Sequence, residues 1–237
     1  MDDPKRNAAR AALDELPVLS GSVIGLGTGS TARFFVEELA RHMRQPGKQR
    51  SLVGVPTSDA TRQLAASLGI PLLDDEGPWD IDVNVDGADE VSDSLDMIKG
   101  GGGAHAREKI VNYAARKNVI IVDASKMSAR LGDRRAVPIE VLPFAHRTTR
   151  AKLAQYGDPT LRLRDGEPAR TDAGNLLYDL RIEPADDPAP LDRALRAIPG
   201  VVETGIFVGR ADVVLVADAT GVRRIAAPRT RPPGVPV

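Results

Sequence analysis

Val23-Ile24-Gly25-Leu26-Gly27-Thr28-Gly29-Ser30-Thr31 joins a short apolar run to a glycine-rich turn, and from Thr31 to Met43 apolar residues recur at helical spacing. The pattern predicts a strand, a tight turn and a helix. Leu52 to Val55 is a second short strand; Ser58 or Asp59 caps a helix running to Leu68, and Gly69 stops it. Ile81 to Val85 is a third strand, delivering Asp86 at its C-terminal end. Arg107 to Lys117 reads as a helix with Ile110, Val111 and Ala114 on its inner face, and Val119 to Val122 as a near-continuous apolar strand. Strands apolar on both faces, alternating with helices, predict an α/β, Rossmann-like fold. Its mostly parallel sheet is covered by helices on both faces, and ligands bind beyond the strand C-termini.

Beyond Gly132 the sequence becomes more β-like and turn-rich. Strands are expected at Pro138 to Leu142, Thr160 to Arg164 and Asn175 to Ile182, and a helix from Leu191 to Ala197, ended by Pro199-Gly200. Val213-Val214-Leu215-Val216 is another buried-type strand, which returns the chain to the first sheet. The expected organisation is therefore a catalytic α/β domain of residues 1–131 and 205–227, with a smaller α+β, ferredoxin-like domain inserted at 132–204. Residues 228–237 contain four prolines and little to pack, and are expected to be disordered.

Composition narrows the function class. A chain of 237 residues with a formal net charge of -1 has no global electrostatic footprint for nucleic acid or an anionic membrane, and 3% aromatic residues supply base stacking poorly. The absence of cysteine excludes disulfides, thiolate metal sites and a cysteine nucleophile. Met1 to Arg10 has no apolar signal core, and no run approaches the roughly 18 apolar residues of a membrane span. A cytoplasmic protein acting on a small molecule is the expectation.

The chemistry-bearing residues gather in a few turns. Gly25 to Thr31 places free backbone N–H groups, a helix dipole and three hydroxyls where a phosphate can bind; a capped strand-to-helix turn explains the same residues. The turn has neither the dinucleotide fingerprint nor a P-loop. Asp86-Gly87-Ala88-Asp89 follows a strand, and its two carboxylates suit acid/base work, hydroxyl binding, a hard cation, or simply a solvated turn. Glu90 is taken as structural. Lys99 precedes Gly100-Gly101-Gly102-Gly103, and consecutive glycines point to backbone approaching a ligand closely. Glu108 is either helix-dipole charge or a general base, and Asp123-Ala124-Ser125-Lys126 sets a lysine after another strand. His42, His105 and His146 have no metal-ligand spacing, and Trp79 is a packing residue.

Taken together, the blocks at 25–31, 54–58 (Gly-Val-Pro-Thr-Ser), 86–90, 99–104, 107–109 (Arg-Glu-Lys) and 123–126 resemble the ribose-5-phosphate isomerase A family. The likeness continues through Thr171 to Asn175, Pro199 to Glu203 and Phe207 to Asp212, almost the whole chain. It implies interconversion of D-ribose 5-phosphate and D-ribulose 5-phosphate through an enediolate, in the non-oxidative pentose phosphate pathway, with no metal or organic cofactor. It also implies a homodimer or homotetramer. By the family's pattern Glu108 is the base, Asp86 and Lys99 manage the reacting oxygens, and Asp89 holds hydroxyls and assists ring opening. Thr28, Gly29, Ser30, Thr31, Gly87, Ala88, Gly100, Gly101, Gly102 and Lys126 complete substrate binding.

Departures from the pattern are His105-Ala106 before Arg107 and Ala173 in the Thr-Asp-x-Gly-Asn block; Lys5 is the candidate for an N-terminal phosphate-binding lysine. A sugar-phosphate-sensing regulatory module or an acyl or amino-sugar enzyme are the other classes. The first lacks an appended helix-turn-helix segment, the second a nucleophile signature.

Overall fold

The computed structural model describes residues 3–17, 21–45 and 51–227; the expected disordered tail lies outside the described residues. The chain clusters into two compact units. The first comprises the described residues of Met1–Gly87, Arg107–Ser125 and Arg210–Val237, and the second comprises Ala88–Ala106 and Lys126–Gly209. Residues 88–106, 126–131 and 205–209, expected in the larger domain, thus cluster with the smaller unit.

In the first unit β1 (Val23–Leu26), β2 (Val53–Pro56), β3 (Ile81–Asp86), β6 (Ala115–Asp123) and β14 (Val213–Asp218) are parallel, and β15 (Gly221–Ala226) closes one edge antiparallel to β14. Their spatial order is β15-β14-β6-β3-β1-β2. The chain leaves β1 toward β2 on one side and returns to β3 on the other. This makes the C-terminal ends of β1 and β3 a topological switch point, the place where open α/β sheets bind ligands.

The sheet is apolar on both faces because helices cover both. Ile24, Leu26, Val83, Val85, Val119 and Ile121 pack with Ala8 and Ala9 of α1 (Pro4–Ala11), Phe35, Val36 and Leu39 of α2 (Ser30–Met43) and Ala65 of α3 (Asp59–Ser67). Val23, adjacent to Ile24 and so on the opposite face, packs with Val55, Ile81, Trp79 and Val111 of α4 (His105–Ala114). Trp79 is indeed a packing residue, its Nε1 donating to the Asp74 carbonyl at 3.1 Å. Among the described residues no helix is long and apolar enough to cross a membrane.

In the second unit β7 (Val137–Val141), β8 (Asp158–Leu161), β11 (Leu176–Arg181) and β12 (Val201–Thr204) form an antiparallel sheet in the order β12-β7-β11-β8. With α5 (His146–Leu153) after β7 and α6 (Ala189–Arg196) after β11, this is the βαββαβ ferredoxin-like arrangement. Val137, Ile139, Val141, Tyr178 and Leu180 pack with Leu153 of α5 and Leu195 of α6. A hairpin of β9 (Leu163–Arg164) and β10 (Glu167–Pro168) and a small sheet of β4 (Glu90–Val91), β5 (Met97–Ile98) and β13 (Ile206–Phe207) complete the unit.

Local boundaries differ where tertiary pairing intervenes. The helix expected to reach Lys117 stops at Ala114, because Ala115 already pairs with Ile81 in the sheet. The expected strand Val213–Val216 is present as β14, paired with β6, and is preceded by a separate short strand, β13, which pairs with β5. Helix α1 was not anticipated; Asp3 caps it by accepting from the Lys5 N–H, and Pro4 opens it.

Glu15, in the short 3₁₀ turn after α1, ties that turn to two strands. Its carboxylate accepts from Arg224 Nε on β15 and from Lys117 Nζ on β6, both at 2.6 Å. The Arg224 hydrogen bond foremost, with Lys117, holds its pKa below the usual carboxylate value against the opposing effect of burial. A depressed pKa contributes stability above the unfolded-state value, and this stability is lost as pH falls through the folded one. Glu15→Gln is therefore expected to lower the thermal midpoint at pH 7, by about 2–4 °C for each kcal/mol lost in a chain of this size. Thermal scans at decreasing pH should show the gap to wild type closing across the carboxylate range.

Candidate active site

At the switch point of the first unit, Leu26 ends β1 and Ser30 begins α2. Hydroxyl groups fix the turn between them. Thr57 donates both its N–H, at 3.0 Å, and its Oγ1–H, at 3.1 Å, to the Leu26 carbonyl. Thr61 Oγ1 donates to the Gly27 carbonyl at 3.0 Å, and Thr28 Oγ1 donates to Ser58 Oγ at 2.9 Å. Ser58 in turn caps α3 by accepting from the Thr61 N–H. Gly29 and Ser30 are left exposed at the start of α2, whose first N–H groups have no intrahelical acceptors. Lys5 Nζ donates to Ser30 Oγ at 3.0 Å, adding a cation to that helix end.

Asp86, the last residue of β3, is fully buried against the same turn. Its Oδ1 accepts from the Thr28 N–H at 3.0 Å and from the Gly87 N–H at 2.7 Å. The approach is possible because residue 27 has no side chain: a Cβ there would lie 2.1 Å from Asp86 Oδ1 and 2.5 Å from Asp86 Cα. Glu108 lies in the first turn of α4, also in this unit, and is 4% exposed. Beside it, Arg107 Nη1 donates to Asp59 Oδ1 at 2.7 Å, joining the starts of α4 and α3.

The second unit holds Asp89, Lys99 and the glycine run. Lys99 follows β5 and is 2% exposed; its N–H donates to the Gly205 carbonyl at 2.9 Å, and its Nζ lies 5.6 Å from the centre of the Phe207 ring. Asp89 Oδ2 accepts from the Gly101 N–H at 2.6 Å. A Cβ on Gly100 would meet His105 Nδ1 at 2.6 Å, and one on Gly101 would meet Asp89 Oδ1 at 2.7 Å, so these two positions are glycine for steric reasons. Gly101 and Gly102 are exposed. An exposed glycine backbone following a buried ammonium suits an anionic oxygen.

A sequence model of the family described as "Ribose 5-phosphate isomerase A (phosphoriboisomerase A)" matches residues 53–221. Ribose-5-phosphate isomerase A of Thermosynechococcus vestitus is 47% identical over 218 residues, covering 90% of this chain and 91% of that protein. The chain belongs to the ribose-5-phosphate isomerase A family. The solved structure of the Methanocaldococcus jannaschii family member matches with a TM-score of 0.88 at 40% identity, covering 94% of this chain and 98% of that one. A D-ribose-5-phosphate isomerase in complex with phospho-erythronic acid also matches with a TM-score of 0.88, at 37% identity, covering 94% and 97% respectively.

Within the first unit the isomerase fold brings Thr28 and its turn directly onto Asp86 and Gly87, two motifs 58 residues apart in sequence. Within the second it brings Asp89 onto the Lys99–Gly102 segment. Ala88 is half-buried in the same acidic turn, and Lys126 is a half-buried residue ending a 3₁₀ turn after β6. Glu90 is structural: fully buried, it accepts from the N–H groups of Gly132, Arg134 and Arg135 at 3.1 Å. His105 is buried, its Nε2 lying 3.2 Å from the Glu203 carbonyl. The sequence reading saw Ser58 as a cap, but not that Thr57, Ser58 and Thr61 together hold Thr28; only their clustering after a strand signals it.

Gly27→Ala puts a methyl group into the Asp86 main chain, which no rotamer change relieves. A loss of about 1–3 kcal/mol in urea unfolding is expected for such overpacking, together with a larger fall in kcat/KM as Asp86 is displaced. Wild-type turnover in this variant would show that the Gly27–Asp86 contact is dispensable.

Proposed function

We propose that Glu108 is the base with which this chain, a ribose-5-phosphate isomerase A family member, interconverts D-ribose 5-phosphate and D-ribulose 5-phosphate. The overall change is an aldose–ketose isomerisation. The Glu108 carboxylate takes the proton from C2 of the open-chain aldose, the C–H electrons form the C1–C2 double bond, and the carbonyl electrons move to O1, giving an enediolate. Return of the proton to C1, with transfer of the O2 proton to O1, yields the ketose. No metal or organic cofactor enters this scheme.

A proton α to a carbonyl is weakly acidic, so its removal requires a positioned base and stabilisation of the developing oxyanion. Lys99 and the Gly102 amide are assigned to that oxyanion, and Gly101, whose N–H donates to Asp89, to lining the sugar. Asp86 is assigned to proton exchange between O1 and O2, and Asp89 to the sugar hydroxyls and ring opening. Gly87, Ala88 and Gly100 line the sugar by their backbone. Thr28 to Thr31, with Lys5 beside Ser30 and with Lys126, are assigned to the phosphate.

The observation that carries the assignment is the burial of Glu108 and Lys99, each 4% exposed or less: a deeply held carboxylate and ammonium at the positions where the family pattern sets base and electrophile. The related isomerase that holds phospho-erythronic acid supports it, since the carboxylate of that ligand imitates the paired oxygens of an enediolate. The protein is further assigned to the cytoplasm and to the non-oxidative pentose phosphate pathway. It is also assigned a homodimeric or homotetrameric state, with the smaller unit contributing to the interface, which light scattering decides.

Isomerisation of ribose 5-phosphate is expected to proceed undiminished in EDTA, and Glu108→Gln to lower kcat by at least ~10²-fold, the scale of general-base catalysis. Near-normal kcat in Glu108→Gln removes that residue from the base role. Loss of wild-type activity in EDTA removes the metal-free scheme.

A further inference from the structure

The glycine run has no side chains with which to hold itself, and its geometry is set from outside. Arg162, between β8 and β9, donates from Nη1 to the Gly100 carbonyl at 3.0 Å and to the Gly101 carbonyl at 3.1 Å. The rest of its guanidinium is clamped by Asp179 of β11: Nε donates to Oδ2 at 2.9 Å and Nη2 donates to Oδ1. The Arg162 main chain is fixed too, its N–H donating to the Leu177 carbonyl and its carbonyl accepting from the Ala169 N–H. Its side chain is 16% exposed.

In a trans peptide the carbonyl of one residue and the N–H of the next point in opposite directions. Two carbonyls turned toward Arg162 therefore turn the Gly101 and Gly102 N–H groups away from it. The Gly101 N–H accordingly meets Asp89 on the far side. We propose that Arg162, held by Asp179, is a positioning residue that, through the Gly101 carbonyl, orients the Gly102 amide toward the reacting oxygens of the sugar, while the Gly101 amide stays on Asp89. This inference rests on the assignment of the Lys99–Gly102 segment to those oxygens. A lysine does not reproduce the arrangement, because its single ammonium lacks the planar fork that serves Asp179 and two carbonyls at once.

The test uses Arg162→Met, Arg162→Lys and Asp179→Asn, each checked for its thermal midpoint. Steady-state turnover of ribose 5-phosphate is compared with inhibition by phospho-erythronic acid and by inorganic phosphate. The expected result is a fall in kcat of at least ~10-fold in Arg162→Met, the lower side of the effect of losing an aligned oxyanion donor. Inhibition by phospho-erythronic acid weakens in parallel, inhibition by phosphate stays within about two-fold, and Arg162→Lys recovers little. If Arg162→Met does not fold, Arg162→Lys and Asp179→Asn carry the same comparison. Turnover and phospho-erythronic acid inhibition both near wild type in a folded Arg162 variant overturn the inference. Equal weakening of both inhibitors with a lowered midpoint overturns it as well, since that is general loosening. Lys99→Met separates the two levels. If it retains wild-type turnover, the assignment of the segment fails; if it collapses while Arg162→Met does not, only the positioning role of Arg162 fails.

Discussion

The contact on which the first unit's site depends is that of the Asp86 carboxylate with a residue that has no side chain. Burying a carboxylate is costly unless its oxygens are hydrogen-bonded, and Asp86 is fully buried. Its Oδ1 is satisfied by two backbone N–H groups, those of Thr28 and Gly87, which is possible only if β1 and β3 are neighbours and the turn after β1 folds inward over the end of β3. Sheet order, the glycine at 27 and the hydroxyls of Thr57 and Thr61 that hold the turn's carbonyls are thus one constraint viewed from different residues.

The second unit meets the same difficulty by the opposite means. Asp86 is served by amides that a parallel sheet already holds in place, whereas the Lys99–Gly103 segment is held by charges. Asp89 takes one amide and Arg162 takes two carbonyls, and glycine is required where a Cβ would strike Asp89 or His105. Four glycines cost backbone entropy on folding, so an ordered run of them needs external partners. Charged groups bonded to neutral backbone fix peptide planes more firmly than neutral donors do.

How much of this was legible in the sequence follows from the range of the interactions. The strands β1, β3, β6 and β14 and the glycine turn after β1 are written in local periodicity, and both the parallel sheet and its ligand-binding edge could be read from them. Lys99 and Glu108 stood out locally, but their roles came only through the family resemblance, since a glutamate in the first turn of a helix carries no local mark that separates base from dipole charge. Helix α1 was missed because its inner face is alanine, Ala8 and Ala9, with no larger apolar residue to mark the helical period. The end of α4 was misplaced because its limit is set by the pairing of Ala115 with Ile81, a partner 34 residues away.

Arg162 was invisible for a related reason. It sits in a stretch rich in arginine, with Arg164 and Arg170 close by, and nothing in residue type or spacing separates it from solvated charge. Its distinction lies in what the fold sets opposite it: Asp179 across a strand pair and two carbonyls some sixty residues earlier. A site that works through backbone amides keeps its own sequence almost blank, and the information that orients those amides must be stored elsewhere in the chain. Glycine runs that bind ligands therefore mark where the chemistry is, while the residues that make the run a defined shape are found only by asking which charged side chains its carbonyls have recruited.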